Sequence, residues 1–352
     1  MIKAILSNEI MNSILKIERN RDVLNQVKIP VNLSNRLRKN TKKRSSYASN
    51  RIEGNPLTYE QAEEAIESKG RHFLKPEQEV RNYYFALEFL EGKLKEKEPF
   101  SLELILEVQK MICEGEPRER IGLRGAMPAG VLFAVWNEDG TPAYIPPEWN
   151  EVPQLLAELV SYVAESDDHP IIKAAVIHYQ LVTIHPFEDG NGRTARIMSN
   201  YFLSLSGYGF KNVGSLEEYM SYNINEYYDC IQMGLPTLYY DGRNNPPHPE
   251  IWINYYLKIF NLYASKVLSI AKGETSNNSK ERLSHLSSKA KTFLEYLIKN
   301  RIVTFAPIEL SAKMKVTNRT IINWCSELVN NGYLKPTLVN KRIRQYERIS
   351  DK

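Results

Sequence analysis

Cysteine is scarce and odd in number. Cys113, Cys230 and Cys325 lie far apart in a chain of 352 residues, which excludes a disulfide framework and a cysteine-paired zinc site and predicts buried, reduced thiols. Long apolar runs are also missing. None approaches the roughly 20 residues of a membrane-crossing helix, and the first twenty residues alternate polar with apolar instead of forming a secretory signal core. A cytoplasmic protein with no membrane partner is expected. No internal repeat is present. Core-forming residues are not lacking: with 42% hydrophobic, 25% charged and 10% aromatic residues, wholesale disorder and collagen-like classes are excluded.

The net charge of +4 is unevenly spread. Residues 281–352 hold fourteen Lys and Arg against six Asp and Glu, a balance of +8, while the remainder has 32 against 36, or −4. A basic module therefore ends a mildly acidic body. Between them, Lys272-Gly-Glu-Thr-Ser-Asn-Asn-Ser-Lys280 has no apolar residue and reads as a linker. The length suits two or three domains, divided as a helical region over 1–100, a core over 101–271, a linker over 272–284 and a module over 285–352.

The periodicity is mainly α-helical. Residues 1–45 read as helix ending in a basic stretch, 36–44, taken as a solvated face; 45–54 reads as a short helix stopped by Gly54, and Leu57-Thr58 caps a helix over 59–68. Helical spacing recurs at 77–95, 101–114, 151–165, 170–184, 192–205, 216–234 and 249–271. Between 129 and 145 the period changes to that of strands around Asn137-Glu-Asp-Gly140, which predicts a β-hairpin closed by Pro146-Pro147.

Chemistry concentrates in His185-Pro-Phe-Glu-Asp-Gly-Asn-Gly-Arg-Thr-Ala-Arg196, between two helical patterns. Pro186 ends the first helix and leaves His185 at its edge. Gly190-Asn191-Gly192 allows a tight turn that exposes N–H groups at the start of the second helix, an anion site. Arg193 and Arg196, three apart, share a helix face and add positive charge. Glu188 and Asp189 are odd neighbours for a phosphate unless one of them holds a divalent cation.

This string resembles the signature of the Fic family: His-Pro-Phe, a variable residue, Asp or Glu, Gly-Asn-Gly-Arg, two variable residues, Arg. Every fixed position is matched. The resemblance implies a mainly α Fic core with a β-hairpin flap that holds the target segment by strand addition. It further implies protein adenylylation, moving AMP from ATP to a Ser, Thr or Tyr hydroxyl of a target protein, with the enzyme itself among the candidate targets. His185 would be the general base, Asp189 the ligand of Mg2+, Gly190, Asn191 and Gly192 the anion hole, and Arg193 and Arg196 the polyphosphate neutralisers. Phe187 would be a buried anchor, and Glu188, at the variable position, has no role. Upstream, Ser49-Asn-Arg-Ile-Glu53-Gly54 resembles the family's inhibitory motif over 49–54, in which Glu53 would pair with Arg196 and take the place of the ATP γ-phosphate. His72, His169, His178, His248 and His285 are expected to be structural.

In the basic module, helical patterns at 289–299, 308–314 and 320–329 precede an alternating hairpin over 333–349. This order resembles a winged helix, with Lys313, Lys315, Asn318 and Arg319 toward a DNA groove and Lys341, Arg342 and Arg344 on the wing. A dimerisation or docking module has the same pattern. The alternative to an enzyme is a DNA-binding regulator whose core senses a nucleotide without transferring it. Oligomeric state, including a homo-oligomer, is left open by the sequence.

Overall fold

The computed structural model describes residues 2, 7–27, 29, 31–70, 72–137, 139–233, 246, 248–271, 287–300, 302–330, 333–339 and 342–348. The expected linker over 272–284, together with His285 and Lys341, lies outside the described residues. So do the side chains of Arg342 and Arg344 on the expected wing. The chain divides into two compact units, 1–272 and 273–352.

The first unit is helical. α1 (Asn8–Gln26), α2 (Val31–Ile52), α3 (Tyr59–Glu67), α4 (Lys75–Glu96) and α5 (Leu102–Ile112) precede a small hairpin of β1 (Val135–Trp136) and β2 (Pro142–Tyr144). α6 (Val152–Glu165), α7 (Pro170–Ile184), α8 (Asn191–Leu205), α9 (Leu216–Tyr222), α10 (Ile224–Gln232) and α11 (Pro249–Ala271) complete it. α7 is the axis. Its buried residues run round the whole helix, from Ile171 to Ile184, as in a helix enclosed by neighbours. One hydrophobic core runs from Ile10 to Val267, so the 1–100 and 101–271 segments share it.

Local chemistry explains the ends of several helices. Thr58 and Gln61 form a reciprocal capping box at α3, and Ser7, Ser101 and Ser215 accept first-turn N–H groups of α1, α5 and α9. The expected helix over 216–234 is broken at Asn223, whose side chain caps α10 by accepting from the Glu226 N–H. The expected short helix at 45–54 is the last part of one helix, α2, because neither Pro nor Gly interrupts 31–53. Gly54 follows with φ +82°.

The basic stretch of α2 is no solvated face. Lys43 is 4% exposed and donates to Glu63 and Glu67, both at 2.7 Å, while Lys42 reaches Glu88 and Glu91 at 2.9 and 3.1 Å. These contacts bind α2 to α3 and α4. The hairpin is also shorter than its pattern suggests: among the described residues only Val135 and Trp136 are paired, to Tyr144 and Pro142. Residues 131–134 would have to pair with a segment containing Pro146 and Pro147, which lack the N–H groups a ladder needs. Cys113 and Cys325 are buried free thiols as expected, but Cys230 is only half-buried.

The second unit holds α12 (Ser288–Lys299), β3 (Thr304–Phe305), α13 (Pro307–Met314), α14 (Asn318–Asn330), β4 (Leu334–Val339) and β5 (Arg342–Arg348). The strands form an antiparallel sheet in the order β3-β5-β4. The short β3, unmarked by any alternation, pairs Phe305 with Tyr346. Phe293, Leu297, Leu310, Ile321, Cys325 and Leu328 complete a separate core.

Glu217 ties the first unit together under α2. It is 1% exposed and accepts from Tyr83 and Asn200 on one oxygen, at 2.9 and 2.8 Å, and from Ser45 and Ser215 on the other, at 3.1 and 2.9 Å. Four elements converge on this carboxylate. Glu217→Ala leaves three buried donors and the half-buried Asn200 without their acceptor, and a loss of about 3 to 5 kcal/mol is expected. Urea denaturation checks this, and a loss below about 1 kcal/mol would contradict it.

Candidate active site

α7 ends at His185, whose N–H donates to the Leu181 carbonyl and whose φ of +49° lies in the left-handed region. A non-glycine residue there is uncommon, and the conformation turns the chain out of the helix where Pro186 forbids its continuation. The imidazole Nδ1 lies 3.2 Å from the Val182 carbonyl. A carbonyl only accepts, so Nδ1 carries the proton and Nε2 keeps its lone pair. Burial pushes the His185 pKa down to about 4, helped by the Arg124 charge and opposed by the Val182 contact and the Glu53 and Asp189 carboxylates. The ring is neutral at pH 7.

The loop after His185 is closed by its own residues. Asn191 accepts from the Phe187 N–H at 2.9 Å and donates to the Phe187 carbonyl at 2.8 Å, so its amide serves the loop. Phe187 is fully buried, as an anchor should be. Gly190 has φ +81° and is the N-cap of α8, with no side-chain cap. The first-turn N–H groups of α8 are therefore open to an anion. From beneath, Gln109 and Cys113 of α5 donate to the Asp189 carbonyl at 3.2 and 3.5 Å.

The two arginines, expected on one face, diverge. Arg193 folds back to Asp189 Oδ1 at 2.8 Å, and the same oxygen accepts from the Gly190 N–H at 2.6 Å. Oδ2 of Asp189 makes no hydrogen bond among the described residues, and its side chain is 28% exposed. A hard oxygen donor on the open side of a loop suits a small divalent cation. Beside it, a polar cavity of about 360 Å³ is lined by His72, Lys75, Gln78, Asp189 and Arg193.

Arg196 turns the other way, to α2. It is 1% exposed; its Nε donates to Ser49 Oγ at 2.9 Å, its Nη2 to the Ser49 carbonyl at 3.0 Å and to Glu53 Oε1 at 2.6 Å, and its Nη1 to the Tyr227 hydroxyl at 3.3 Å. Burial alone would lower its pKa, but the Glu53 charge holds it well above its ordinary value. Ser49 and Glu53, some 143 residues earlier in the chain, thus meet the signature directly. The Glu53 carboxylate lies so close over Gly192 that a methyl group there would overlap it.

Three residues that the sequence reading passed over shape the site. Arg124, 5% exposed, donates to the carbonyls of His185 and Pro147 at 2.8 and 2.5 Å and lies 4.6 Å from the Phe133 ring centre. It fixes the His185 loop and the hairpin together. Tyr227 accepts from Arg196 and lies 2.8 Å from Nε2 of His178. His178 is fully buried and uncharged, since burial and the Arg196 charge depress its pKa. Tyr228 donates to the Ile52 carbonyl at 3.2 Å, at the end of α2. No spacing signal marks a lone Arg in a loop; the Tyr227-Tyr228 pair in an amphipathic helix reads simply as core. Among the other histidines, His169 caps α7 and His248 meets Glu250.

Residues 99–203 match the family model described as Fic/DOC family. The chain is 32% identical over 166 residues to protein adenylyltransferase fic-1 of Caenorhabditis briggsae, covering 45% of this chain and 31% of that protein. It is 31% identical over 171 residues to protein adenylyltransferase Fic of Nematostella vectensis, covering 46% and 37%. It thus spans about a third of the length of these curated relatives. A Fic family protein from Desulfovibrio desulfuricans shares the fold at a TM-score of 0.63 and 18% identity, over 100% of this chain and 99% of that one. A Fic domain containing signaling protein from Bacteroides thetaiotaomicron superposes at a TM-score of 0.58 and 26% identity, covering 76% and 97%. No helix among the described residues is long and apolar enough to cross a membrane. The loop that His185 and Arg196 bracket lies within the matched residues 99–203, and over them this chain carries a Fic domain.

Proposed function

We propose that the first unit is a protein adenylyltransferase that moves AMP from ATP to a side-chain hydroxyl and is held at rest by Glu53. One observation carries the reading: a neutral His185, with its accepting Nε2 available, stands at the edge of an uncapped helix start flanked by Asp189, Arg193 and Arg196. The hydroxyl oxygen of the target attacks the α-phosphorus as its proton passes to His185 Nε2. The bond from that phosphorus to the bridging oxygen breaks, and pyrophosphate leaves with the electron pair. The open N–H groups at the start of α8 face the charge that develops on the phosphoryl oxygens. Asp189 is the residue to hold Mg2+, which when bound neutralises charge on the phosphates. Target residues would be presented along the β1–β2 hairpin, which Arg124 fastens to the His185 loop.

His185→Ala should lower transfer at least about 100-fold while leaving ATP affinity nearly unchanged. Because the free-enzyme pKa is about 4, kcat/KM should stay level from neutrality to about pH 5 and fall only below it, as the base becomes protonated. Equal losses of binding and turnover in His185→Ala would refute the assignment of the base. Asp189→Ala should instead raise the Mg2+ concentration needed for half-maximal rate, and an unchanged requirement would place the ion elsewhere.

Glu53 occupies Arg196 and the approach to Gly192, where the end of the polyphosphate would lie. A charge-assisted pair is worth roughly 1.5 to 3 kcal/mol, and since Glu53 is 35% exposed screening puts it at the low end. Glu53→Gly should therefore raise transfer about tenfold, and Glu53→Gln should give an intermediate gain. Mass spectrometry of the Glu53→Gly protein after incubation with ATP and Mg2+ reads the added AMP on the chain itself or on a target. Wild-type rates equal to those of Glu53→Gly at saturating ATP would end the inhibitory reading. Tight ATP binding without transfer to any protein would favour a nucleotide sensor.

A further inference from the structure

The second unit has a face that the proposed chemistry does not use. Its element order is helix, strand, helix, turn, helix, strand, strand. α14 turns Ile321, Cys325 and Leu328 into the core, and on the other side Arg319, Ile322, Asn323 and Ser326 are exposed. Their spacing of one, three and four places them in one stripe two turns long. Thr317 accepts from the Thr320 N–H at 3.2 Å and so fixes the start of that helix.

Charge decides what such a stripe can meet. The seventeen residues 310–326 contain Lys313, Lys315 and Arg319 and no acidic residue. All three cations are exposed and make no ion pair among the described residues. The acids on either side are turned away: Glu309 accepts from the Ala306 N–H at 3.3 Å, and Glu327 accepts from the Ser287 N–H and hydroxyl at 2.6 and 2.8 Å. With the +8 balance of residues 281–352, the turn and the outer face of α14 form a cationic surface with no internal counter-charge.

We propose that this unit is a winged helix that binds duplex DNA, with the outer face of α14 in the major groove. Lys313 and Lys315, on α13 and in the turn, meet phosphates and set affinity. On the stripe, Arg319 has the donors for a guanine edge and Asn323 the donor and acceptor for adenine, and Ile322 offers an apolar contact for a thymine methyl. B-form DNA suits this better than double-stranded RNA, whose deep, narrow major groove does not admit a helix. An acidic protein would satisfy the lysines but would have no use for the amide of Asn323 beside Arg319.

The test uses the full chain and fluorescence anisotropy with a labelled mixed-sequence DNA duplex, in 50 and 200 mM salt, followed by selection from a randomised duplex pool. Binding is expected at 50 mM salt and should weaken at least about tenfold by 200 mM. Lys313→Glu with Lys315→Glu should weaken binding to every duplex and reduce the slope of log affinity against log salt by about 2. Asn323→Ala should leave that slope unchanged and alter the selected sequence at one position. All three positions are exposed, so thermal melting should match the wild type and separate lost binding from lost folding. No duplex binding at 50 mM salt, or binding indifferent to the lysine double variant, overturns the proposal. Equal affinity for double-stranded RNA does so as well. None of these readouts depends on AMP transfer.

Discussion

A buried guanidinium cannot stay unsatisfied, and Arg196, 1% exposed in the first unit, imposes that constraint on its surroundings. Removing such a charge from water costs several kcal/mol unless hydrogen bonds and an opposite charge replace the lost solvent. Ser49 supplies two acceptors, Tyr227 a third and Glu53 the charge. Each comes from an element remote in sequence. This one side chain therefore binds both α2 and α10 to α8, and the position of the Glu53 carboxylate follows from that arrangement.

The division of labour among these partners bears on the proposed regulation. Ser49 and Tyr227 are buried, whereas Glu53 remains 35% exposed. If Glu53 swings away, Arg196 still has three of its four acceptors, and the tyrosine hydroxyl can in turn donate to His178. In the proposed function the arginine would thus stay oriented for a phosphate when the carboxylate leaves. α2 itself is not free to depart, because Lys42, Lys43 and Ser45 fasten its middle to α3, α4 and Glu217. Release from the proposed inhibition would then involve the last turn of α2 and the Glu53 side chain, not a whole helix.

Much of this arrangement was legible in the sequence because it rests on local rules. The apolar periodicity of 170–184, the proline after it and the glycines before Arg193 encode α7, the turn and the start of α8 with no reference to the rest of the chain. What was not legible depends on contacts across the fold. A run of Lys and Arg at 36–44 looks like a solvated face until Glu63, Glu67, Glu88 and Glu91 are brought against it. The spacing of Arg193 and Arg196 puts their Cα atoms on one helix face, but the partners of each side chain, Asp189 and α2, pull them apart. Arg124 carries no pattern at all, and only the carbonyls of His185 and Pro147 show why it is there.

In the proposed function, inhibition and catalysis share one feature, Gly192. The start of α8 can accept an anion only if its backbone is uncovered, which requires a residue without a side chain at the point of closest approach. The same bareness lets the Glu53 carboxylate settle where a Cβ would exclude it. An added methyl group would therefore not relieve the proposed inhibition selectively, since it would obstruct a bound phosphate oxygen as it obstructs Glu53. A carboxylate and a phosphate ask for the same things at this position, an open helix start and the Arg196 guanidinium, so a site built for one is open to the other. The proposed resting control would then need only an acid at the end of a neighbouring helix, at the reach that α2 provides.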